Sequence, residues 1–156
     1  MPDKLIVFVC TGNVCRSPMA EYLLRHRLGA DSGWTVASAG TAAGGGMKAS
    51  MAAVEALDEM GIDLQPHLSR PVDDALVAQA DMVVVMTRDH YNQLRSGYPE
   101  AEGRIYLMKS FDPEAETDDV ADPIGLTVEV YRGIRDEIEA AMPGLLKYMK
   151  TFRREE

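Results

Sequence analysis

The sequence is poor in the residues that build disulfide frameworks and metal sites. It holds 2 cysteines and 3 histidines in 156 residues, and both cysteines, Cys10 and Cys15, stand close together. A secreted disulfide fold needs several cysteines spread along the chain, so that class is excluded. His26, His67 and His90 show no metal-ligand spacing. We therefore expect no metal, no cofactor and a reducing, cytoplasmic compartment.

Long apolar runs and positive charge are scarce as well. No stretch approaches the ~18 apolar residues of a membrane span, and the N-terminus leads into a strand with no secretory signal. Lys and Arg number 16 against 25 Asp and Glu, which gives a formal net charge of −9. Nucleic acids and anionic membranes are therefore not expected as partners. Acidic residues crowd the segment 112–122, which predicts a solvated loop.

The chain instead alternates short apolar runs with segments of helical periodicity. Four segments have the continuous apolar pattern of buried strands: residues 5–9, 34–37, 82–86 and 105–108. Five segments have helical spacing: residues 18–28, 50–60, 75–80, 89–95 and 127–149. In the second of these, Met51, Val54 and Leu57 are predicted to face the core, with Ala53 as a further candidate. Pro143 is predicted to kink or interrupt the last.

Apolar strands separated by helices are typical of a parallel sheet that is covered on both faces. We predict one α/β domain over residues 1–156, with three layers, a four-stranded parallel sheet and a Rossmann-like fold. In such a sheet ligands bind at the carboxyl ends of the strands, which is where Cys10 follows the first apolar run.

The loop from Cys10 to Ser17, with the sequence CTGNVCRS, is the most informative segment. A loop between a strand and a helix can direct backbone N–H groups at an anion, with the helix N-terminus beneath it. Cys10 at its mouth is favoured as the nucleophilic thiolate. Arg16 can place two donors on phosphate oxygens. Gly12 allows close backbone approach or a positive φ, and Asn13 tolerates the left-handed region.

Ser17 and Pro18 stand where the first helix should begin. Ser17 is a good N-cap and Pro18 suits the first helical position, while the Ser17 hydroxyl can also donate to the Cys10 sulfur. The Gly-Lys-Ser/Thr pattern of nucleotide-binding P-loops is absent. The segment therefore predicts covalent chemistry on a phosphate group.

Residues 9–21 resemble the active-site loop of the low-molecular-weight protein tyrosine phosphatases. The resemblance extends to Ser38-Ala-Gly40, to His67-x-Ser-Arg70, to the strand at 82–86 and to Asp122-Pro123, so that it covers nearly the whole chain. It implies a phosphorylated protein as substrate, inorganic phosphate as product and a cysteinyl-phosphate intermediate. For the oligomeric state we expect a monomer or a weak dimer.

The resemblance also implies a role for each matching residue. Cys10 would attack phosphorus, Arg16 would stabilise the equatorial oxygens, and Asp122 would act as general acid and then as general base. The phosphate-binding loop would consist of Thr11, Gly12, Asn13, Val14, Cys15 and Ser17. Ser38 and His67 would brace Asn13, although His67 could equally be a packing or surface histidine.

Two positions leave alternatives open. Asp112 precedes a proline as Asp122 does, but Asp122 lies shortly before the last predicted helix, where the family carries its acid. Cys15 is predicted either to pack within the loop or to trap oxidised Cys10 as a protective disulfide.

The leaving group depends on three further residues. Tyrosine-specific members of the family carry Leu or Ile at the position of Val14 and aromatic residues after the Asp-Pro pair, where this chain has Ile124. A branch that acts on phosphoarginine resembles this chain at Thr11 and in its Asp-Pro-x-Gly segment, but it carries Thr in place of Val14. Because valine lacks the threonine hydroxyl, we predict phosphotyrosine as the substrate, with phosphoarginine as the alternative.

Two other functional classes are weaker. Arsenate reduction on this scaffold needs cysteines that relay a disulfide, and the chain has none beyond Cys15. An inactive phosphoprotein-binding module would not need Cys10, Arg16 and Asp122 together.

Overall fold

A four-stranded parallel sheet forms the middle layer of the computed structural model, which describes residues 3–154. The strands are β1 (Lys4–Cys10), β2 (Trp34–Gly40), β3 (Met82–Val85) and β4 (Ile105–Leu107), in the order β2-β1-β3-β4. All three pairings are parallel. The predicted strands and the α/β, Rossmann-like fold are therefore confirmed. Residues 1–2 and 155–156, the ends of the predicted domain, lie outside the described residues.

Helices cover both faces of the sheet. Side chains alternate along each strand, so a continuous apolar run places apolar side chains on both faces. Ile6 and Phe8 of β1 pack with the helices α1 (Arg16–Leu28), α2 (Met51–Asp58) and α5 (Val128–Thr151). Val7 and Val9 pack on the other side, with α3 (Asp74–Gln79) and α4 (Arg88–Gly97). Short 3-10 helices span Pro99–Arg104 and Met108–Phe111. Among residues 3–154, no helix has the length and apolar character to cross a membrane.

The first helix begins two residues earlier than the sequence predicts. Arg16 is its first residue, Cys15 occupies the N-cap position, and no side chain caps the helix. The prediction of Ser17 as N-cap is therefore wrong, because Ser17 lies within the first turn and its hydroxyl bonds elsewhere. Pro18, which still lies in the first turn, removes no hydrogen bond there.

Two predictions about the other helices need correction. Met51 is 88% exposed, so its predicted place in the core is wrong. Leu57 and Ala53 are buried as predicted, and Ala56 is buried with them, so the buried stripe is shifted around the helix away from Met51. The last helix, α5, continues through Pro143, so the predicted interruption is wrong, whereas the predicted kink stays a prediction. The following residue, Gly144, lies directly against the Phe111 carbonyl, which leaves no room for a side chain.

The carboxyl edge of the sheet gathers the segments predicted to carry chemistry. β1 ends at Cys10, and the neighbouring β3 leads through Met86 to α4. The acidic loop between Asp112 and Thr127 crosses this edge, where the Val120 N–H donates to the Met86 carbonyl at 2.8 Å. Residues that are remote in sequence therefore meet above Cys10.

Candidate active site

The loop after β1 is held by its carbonyl groups. Four of its carbonyl oxygens accept hydrogen bonds from outside the loop at 2.7–2.9 Å: Cys10 from Thr41 N, Thr11 from Ala42 N, Asn13 from His67 Nε2 and Val14 from Ser50 N. In a trans peptide the N–H of the next residue points away from the carbonyl. The following N–H groups therefore point into the loop, which is the arrangement that binds an anion.

Asn13 fixes the shape of this loop. It is the one non-glycine residue with a positive φ among residues 3–154, at 56°, and it is fully buried. Its amide donates to Ser17 Oγ at 2.8 Å and to Ser38 Oγ at 2.9 Å, and its Oδ1 accepts from the Arg70 N–H at 3.0 Å. The left-handed backbone predicted for this loop thus falls on Asn13, whereas Gly12 has no positive φ.

A buried carboxylate, that of Glu21, belongs to the same hydrogen-bond network. Glu21 Oε1 accepts from Ser38 Oγ at 2.6 Å and lies 3.9 Å from His67 Nδ1. Its other oxygen pairs with Arg25 at 2.5 Å. Ser38 and His67 therefore both contact Asn13, as the sequence suggests, and Glu21 is a further member of the network.

Cys10 lies at the base of the loop with Ser17 as its polar neighbour. The Cys10 sulfur and the Ser17 hydroxyl oxygen are 2.9 Å apart, and both residues are buried. The amide of Asn13 already donates to this hydroxyl oxygen. The hydroxyl proton of Ser17 has two possible acceptors, the Ala39 carbonyl at 3.4 Å and the Cys10 sulfur at 2.9 Å. When Cys10 is a thiolate, the closer and negatively charged sulfur is the favoured acceptor.

Arg16 joins the loop to the acidic segment. Its Nη1 donates to the Val120 carbonyl at 2.9 Å, and its Nη2 lies 3.6 Å from Asp122 Oδ2. The residue is 4% exposed, and its Nε is the one buried side-chain nitrogen or oxygen without a hydrogen-bond partner in the described part of the chain. A buried donor without a partner is costly, so Arg16 is suited to an anionic ligand.

The acidic segment is anchored to Arg88 at the residues that precede Asp122. Asp119 Oδ1 accepts from the Arg88 N–H at 2.8 Å, and Asp118 Oδ2 pairs with the Arg88 guanidinium at 3.0 Å. Asp122 Oδ1 accepts from the Ile124 N–H at 3.0 Å. Two acids that the sequence assigns to solvent therefore hold the segment in place.

A pocket of about 190 Å³ opens above the loop. Its lining consists of Cys10, Thr11, Gly12, Val14, Cys15, Arg16, Asp122 and Ile124. Asp112 is not among these residues, and its carboxylate accepts from the Glu114 N–H instead. Larger clefts of about 510 and 520 Å³ elsewhere contain no cysteine.

The wall of this pocket is aliphatic. Val14 is half-buried, and Ile124 is 55% exposed at the rim. No aromatic side chain of the described part of the chain lines the pocket. Among residues 3–154, no three His, Cys, Asp or Glu side chains gather in a group that could hold a metal ion.

Cys15 lies behind the loop, beside α5. Its sulfur is 3.2 Å from the Tyr131 hydroxyl and 3.7 Å from Ser50 Oγ. Burial raises the pKa of the Cys15 thiol. Burial and the bond to Cys15 raise the pKa of Tyr131 to about 12. Both cysteines are free thiols, and Cys15 packs within the loop, one of its two predicted roles.

His90 is a site residue that the sequence analysis does not identify. Its Nε2 lies 2.8 Å from Thr11 Oγ1, and its Nδ1 lies 3.0 Å from Thr87 Oγ1. No local pattern marks it, because the ring meets Thr11 across 79 positions of sequence.

Comparisons with known proteins agree with this geometry. The family model described as "Low molecular weight phosphotyrosine protein phosphatase" matches residues 5–155. The chain is 39% identical over 152 residues to a protein-arginine-phosphatase of Bacillus subtilis (strain 168), with 96% of this chain and 99% of that protein covered.

Two solved structures show the same fold. One is a mutant of YwlE arginine phosphatase with a phosphorylated active-site serine, which superposes with a TM-score of 0.86 at 38% identity over 97% of this chain and 99% of that one. The other is the low molecular weight protein tyrosine phosphatase of T. tengcongensis, with a TM-score of 0.83 at 38% identity over 93% and 99% of the two chains. The chain therefore belongs to the low molecular weight phosphotyrosine protein phosphatase family.

Proposed function

We propose that this protein is a phosphatase that hydrolyses phosphorylated proteins through a cysteinyl-phosphate intermediate on Cys10. The convergence of Cys10, Arg16 and Asp122 in one pocket carries the proposal, because these residues supply a nucleophile, an anion clamp and an acid. The relative with a phosphorylated active-site serine supports a covalent phosphoryl-enzyme. The products are the dephosphorylated protein and inorganic phosphate.

In the first step, the Cys10 thiolate attacks phosphorus as the bond to the leaving group breaks. The inward N–H groups of the loop and Arg16 stabilise the negative charge on the three equatorial oxygens. Asp122, in its protonated form, gives its proton to the leaving atom.

In the second step, water replaces the sulfur. The Asp122 carboxylate takes a proton from water, the water oxygen attacks phosphorus, and the P–S bond breaks to release phosphate and the Cys10 thiolate. Ser17 stabilises this thiolate because its hydroxyl lies 2.9 Å from the sulfur. No step requires a metal ion.

Phosphotyrosine is the substrate that the pocket wall favours. Val14 and Ile124 present aliphatic surface to the leaving group, and such surface packs well against a phenyl ring. The substrate phosphate then lies on the loop while the ring leaves past Asp122.

Phosphoarginine is the second candidate, and a specific observation favours it. The arginine phosphatase relative aligns over 99% of its length, and this chain also has Thr11 and an Asp-Pro-x-Gly segment at Asp122. The hydroxyl of Thr11 and the carboxylate of Asp122 are the polar side chains available to a guanidinium beside Arg16.

The test of the chemistry is hydrolysis of p-nitrophenyl phosphate in the presence of a metal chelator. We expect turnover by the wild type and none by Cys10→Ser, which should still bind inorganic phosphate. Turnover that persists in Cys10→Ser, or that requires added metal, contradicts the proposal. Wild type that binds phosphate without turning over would instead be the inactive binding module.

The test of the substrate uses two peptides of the same sequence, one phosphorylated on tyrosine and one on arginine. A higher kcat/KM for the first supports the aliphatic wall as a site for a phenyl ring.

Arsenate reduction is disfavoured because the chain has no cysteine beyond Cys10 and Cys15. A reducing cytoplasm suits the proposal, because the nucleophile has to remain a free thiol.

A further inference from the structure

His90 connects the wall of the active-site pocket to the start of α4. The ring is 3% exposed and lies between two hydroxyl groups, with Thr11 at 2.8 Å from Nε2 and Thr87 at 3.0 Å from Nδ1. Thr87 is also the N-cap of α4, since its hydroxyl oxygen accepts a hydrogen bond from the backbone N–H of His90 at 3.1 Å. The position of the ring is therefore set by the backbone of α4.

The neutral form of the ring is the one that suits this position. Burial, reinforced by the positive charge of Arg16, lowers the pKa of His90 to about 4. A neutral imidazole has one donor and one acceptor nitrogen, so that it orients both hydroxyl groups at once. Thr11 is then held at two points, its hydroxyl by His90 and its carbonyl by the Ala42 N–H at 2.9 Å.

We propose that His90 is a positioning residue of the active site: it fixes Thr11, and through Thr11 the first peptide groups of the phosphate-binding loop. The carbonyl of Thr11 points outward, so the N–H of Gly12 points into the loop, and its aim depends on how Thr11 is held. This inference rests on the proposed function, because it assigns the phosphate to that loop.

The same turn of α4 also holds the acidic segment. Arg88 lies two residues before His90 in the chain, and its backbone N–H donates to Asp119 Oδ1 at 2.8 Å. The first turn of α4 therefore anchors the phosphate loop through His90 and the segment that carries Asp122 through Arg88. Neither residue lines the pocket, so both act through others.

Two substitutions distinguish the contact made by Nε2 of the ring from the contact made by Nδ1. An asparagine amide reaches the place of Nδ1, and a glutamine amide reaches the place of Nε2. His90→Asn should lose the bond to Thr11, whereas His90→Gln can keep it. Thr11→Val removes the hydroxyl while conserving volume, and His26→Asn on the exposed part of α1 is the matched control.

We expect kcat/KM for p-nitrophenyl phosphate to fall about tenfold in His90→Asn and in Thr11→Val, which corresponds to about 1.4 kcal/mol. His90→Gln should stay within about threefold of the wild type. The double variant with Thr11→Val and His90→Asn should be no slower than either single one, because both remove the same contact. His26→Asn should match the wild type.

Inorganic phosphate supplies a readout that does not depend on turnover. In a Cys10→Ser background, His90→Asn should weaken phosphate binding by a similar factor and His90→Gln should restore it. Circular dichroism at the assay temperature checks that each variant is folded. If His90→Asn does not fold, Thr11→Val carries the test.

The proposal is wrong if His90→Asn or Thr11→Val keeps wild-type kcat/KM, if His90→Gln is as slow as His90→Asn, or if the losses multiply in the double variant. Failure of the proposed function is a separate result. It would appear as wild type without turnover, while phosphate affinity still tests His90.

Discussion

Arg16 Nη2 lies 3.6 Å from Asp122 Oδ2, while Nη1 of the same guanidinium donates to the Val120 carbonyl at 2.9 Å. The Arg16 side chain, at the end of the proposed phosphate-binding loop, therefore also holds the segment that carries Asp122. Its contact with Val120 spans 104 positions of sequence. The position of Asp122, the proposed proton donor, is thus coupled to the position of Arg16, the proposed anion clamp.

Asp122→Asn should slow the hydrolysis of phosphotyrosine about 10²–10⁴-fold in kcat, the usual contribution of a general acid. The loss should be smaller for p-nitrophenyl phosphate, whose leaving group needs less protonation. Asp112→Asn is the matched control, because Asp112 precedes a proline but does not line the pocket. Steady-state kinetics on both substrates checks this. The reverse pattern would assign the acid to Asp112.

Val14→Thr should shift substrate preference toward phosphoarginine. The volume of the side chain is nearly unchanged, and the added hydroxyl offers a guanidinium one hydrogen bond, an effect of about 1 kcal/mol or roughly fivefold. The ratio of kcat/KM for matched phosphoarginyl and phosphotyrosyl peptides measures the shift. Val14→Ile, which stays apolar, should leave the ratio on the side of phosphotyrosine. An equal ratio in all three proteins would remove Val14 as the selector.

Gly40→Ala should disturb the phosphate loop. A Cβ at this position would lie 2.4 Å from the Thr11 carbonyl oxygen and 3.0 Å from the Asn13 N–H nitrogen, so the loop has to move. We expect kcat to fall about 10²-fold and stability to fall by about 1–3 kcal/mol. Gly45→Ala is the control, since a Cβ there meets no atom within 4 Å. Equal kinetics for the two variants would show that the loop tolerates the shift.

The wild type should lose stability on acidification through His90. Burial, together with the charge of Arg16, lowers the pKa of His90 from 6.5 to about 4, a value that already includes the opposing effects of Asp89, Asp119 and Asp122. Between these two pH values the unfolded chain binds the proton and the folded chain does not. The neutral His90 ring therefore contributes at most about 3 kcal/mol to the free energy of unfolding. This contribution is complete above pH 6.5 and is lost as the pH falls toward 4.

Urea unfolding of the wild type and His90→Gln at pH 7 and pH 4 isolates this contribution. The carboxylates titrate in both proteins, so the difference between the two curves belongs to His90. The free energy of unfolding should fall further in the wild type than in the variant. Parallel curves would contradict the neutral, buried ring.

Local patterns in the sequence predict the strands and the loop, because both are short and continuous. The run before Cys10 has the composition of a buried strand, and Asn13 is among the few residues that accept a left-handed backbone. Asp122 is predicted through its place before the last helix, and the structure puts it in the pocket.

The remaining features depend on how distant elements pack. Helical spacing indicates that α2 is amphipathic, but the neighbours of the helix decide that Ala56 is buried and Met51 is not. Pro143 stays within α5, so its local preference alone does not end the helix. The contact of His90 with Thr11 requires α4 to follow the strand beside β1, which no local pattern reveals.

The acidic segment has no helix or strand between Asp112 and Thr127, yet Met86, Arg88 and Arg16 each bind it. Folding thus orders the proposed proton donor, Asp122, once, before any substrate arrives. Each catalytic cycle then avoids the entropy loss of closing a lid, which costs about 1–2 kcal/mol for every backbone residue that is fixed. Such an enzyme is preorganised, and its turnover should be insensitive to solvent viscosity as long as the chemical step is slower than product release.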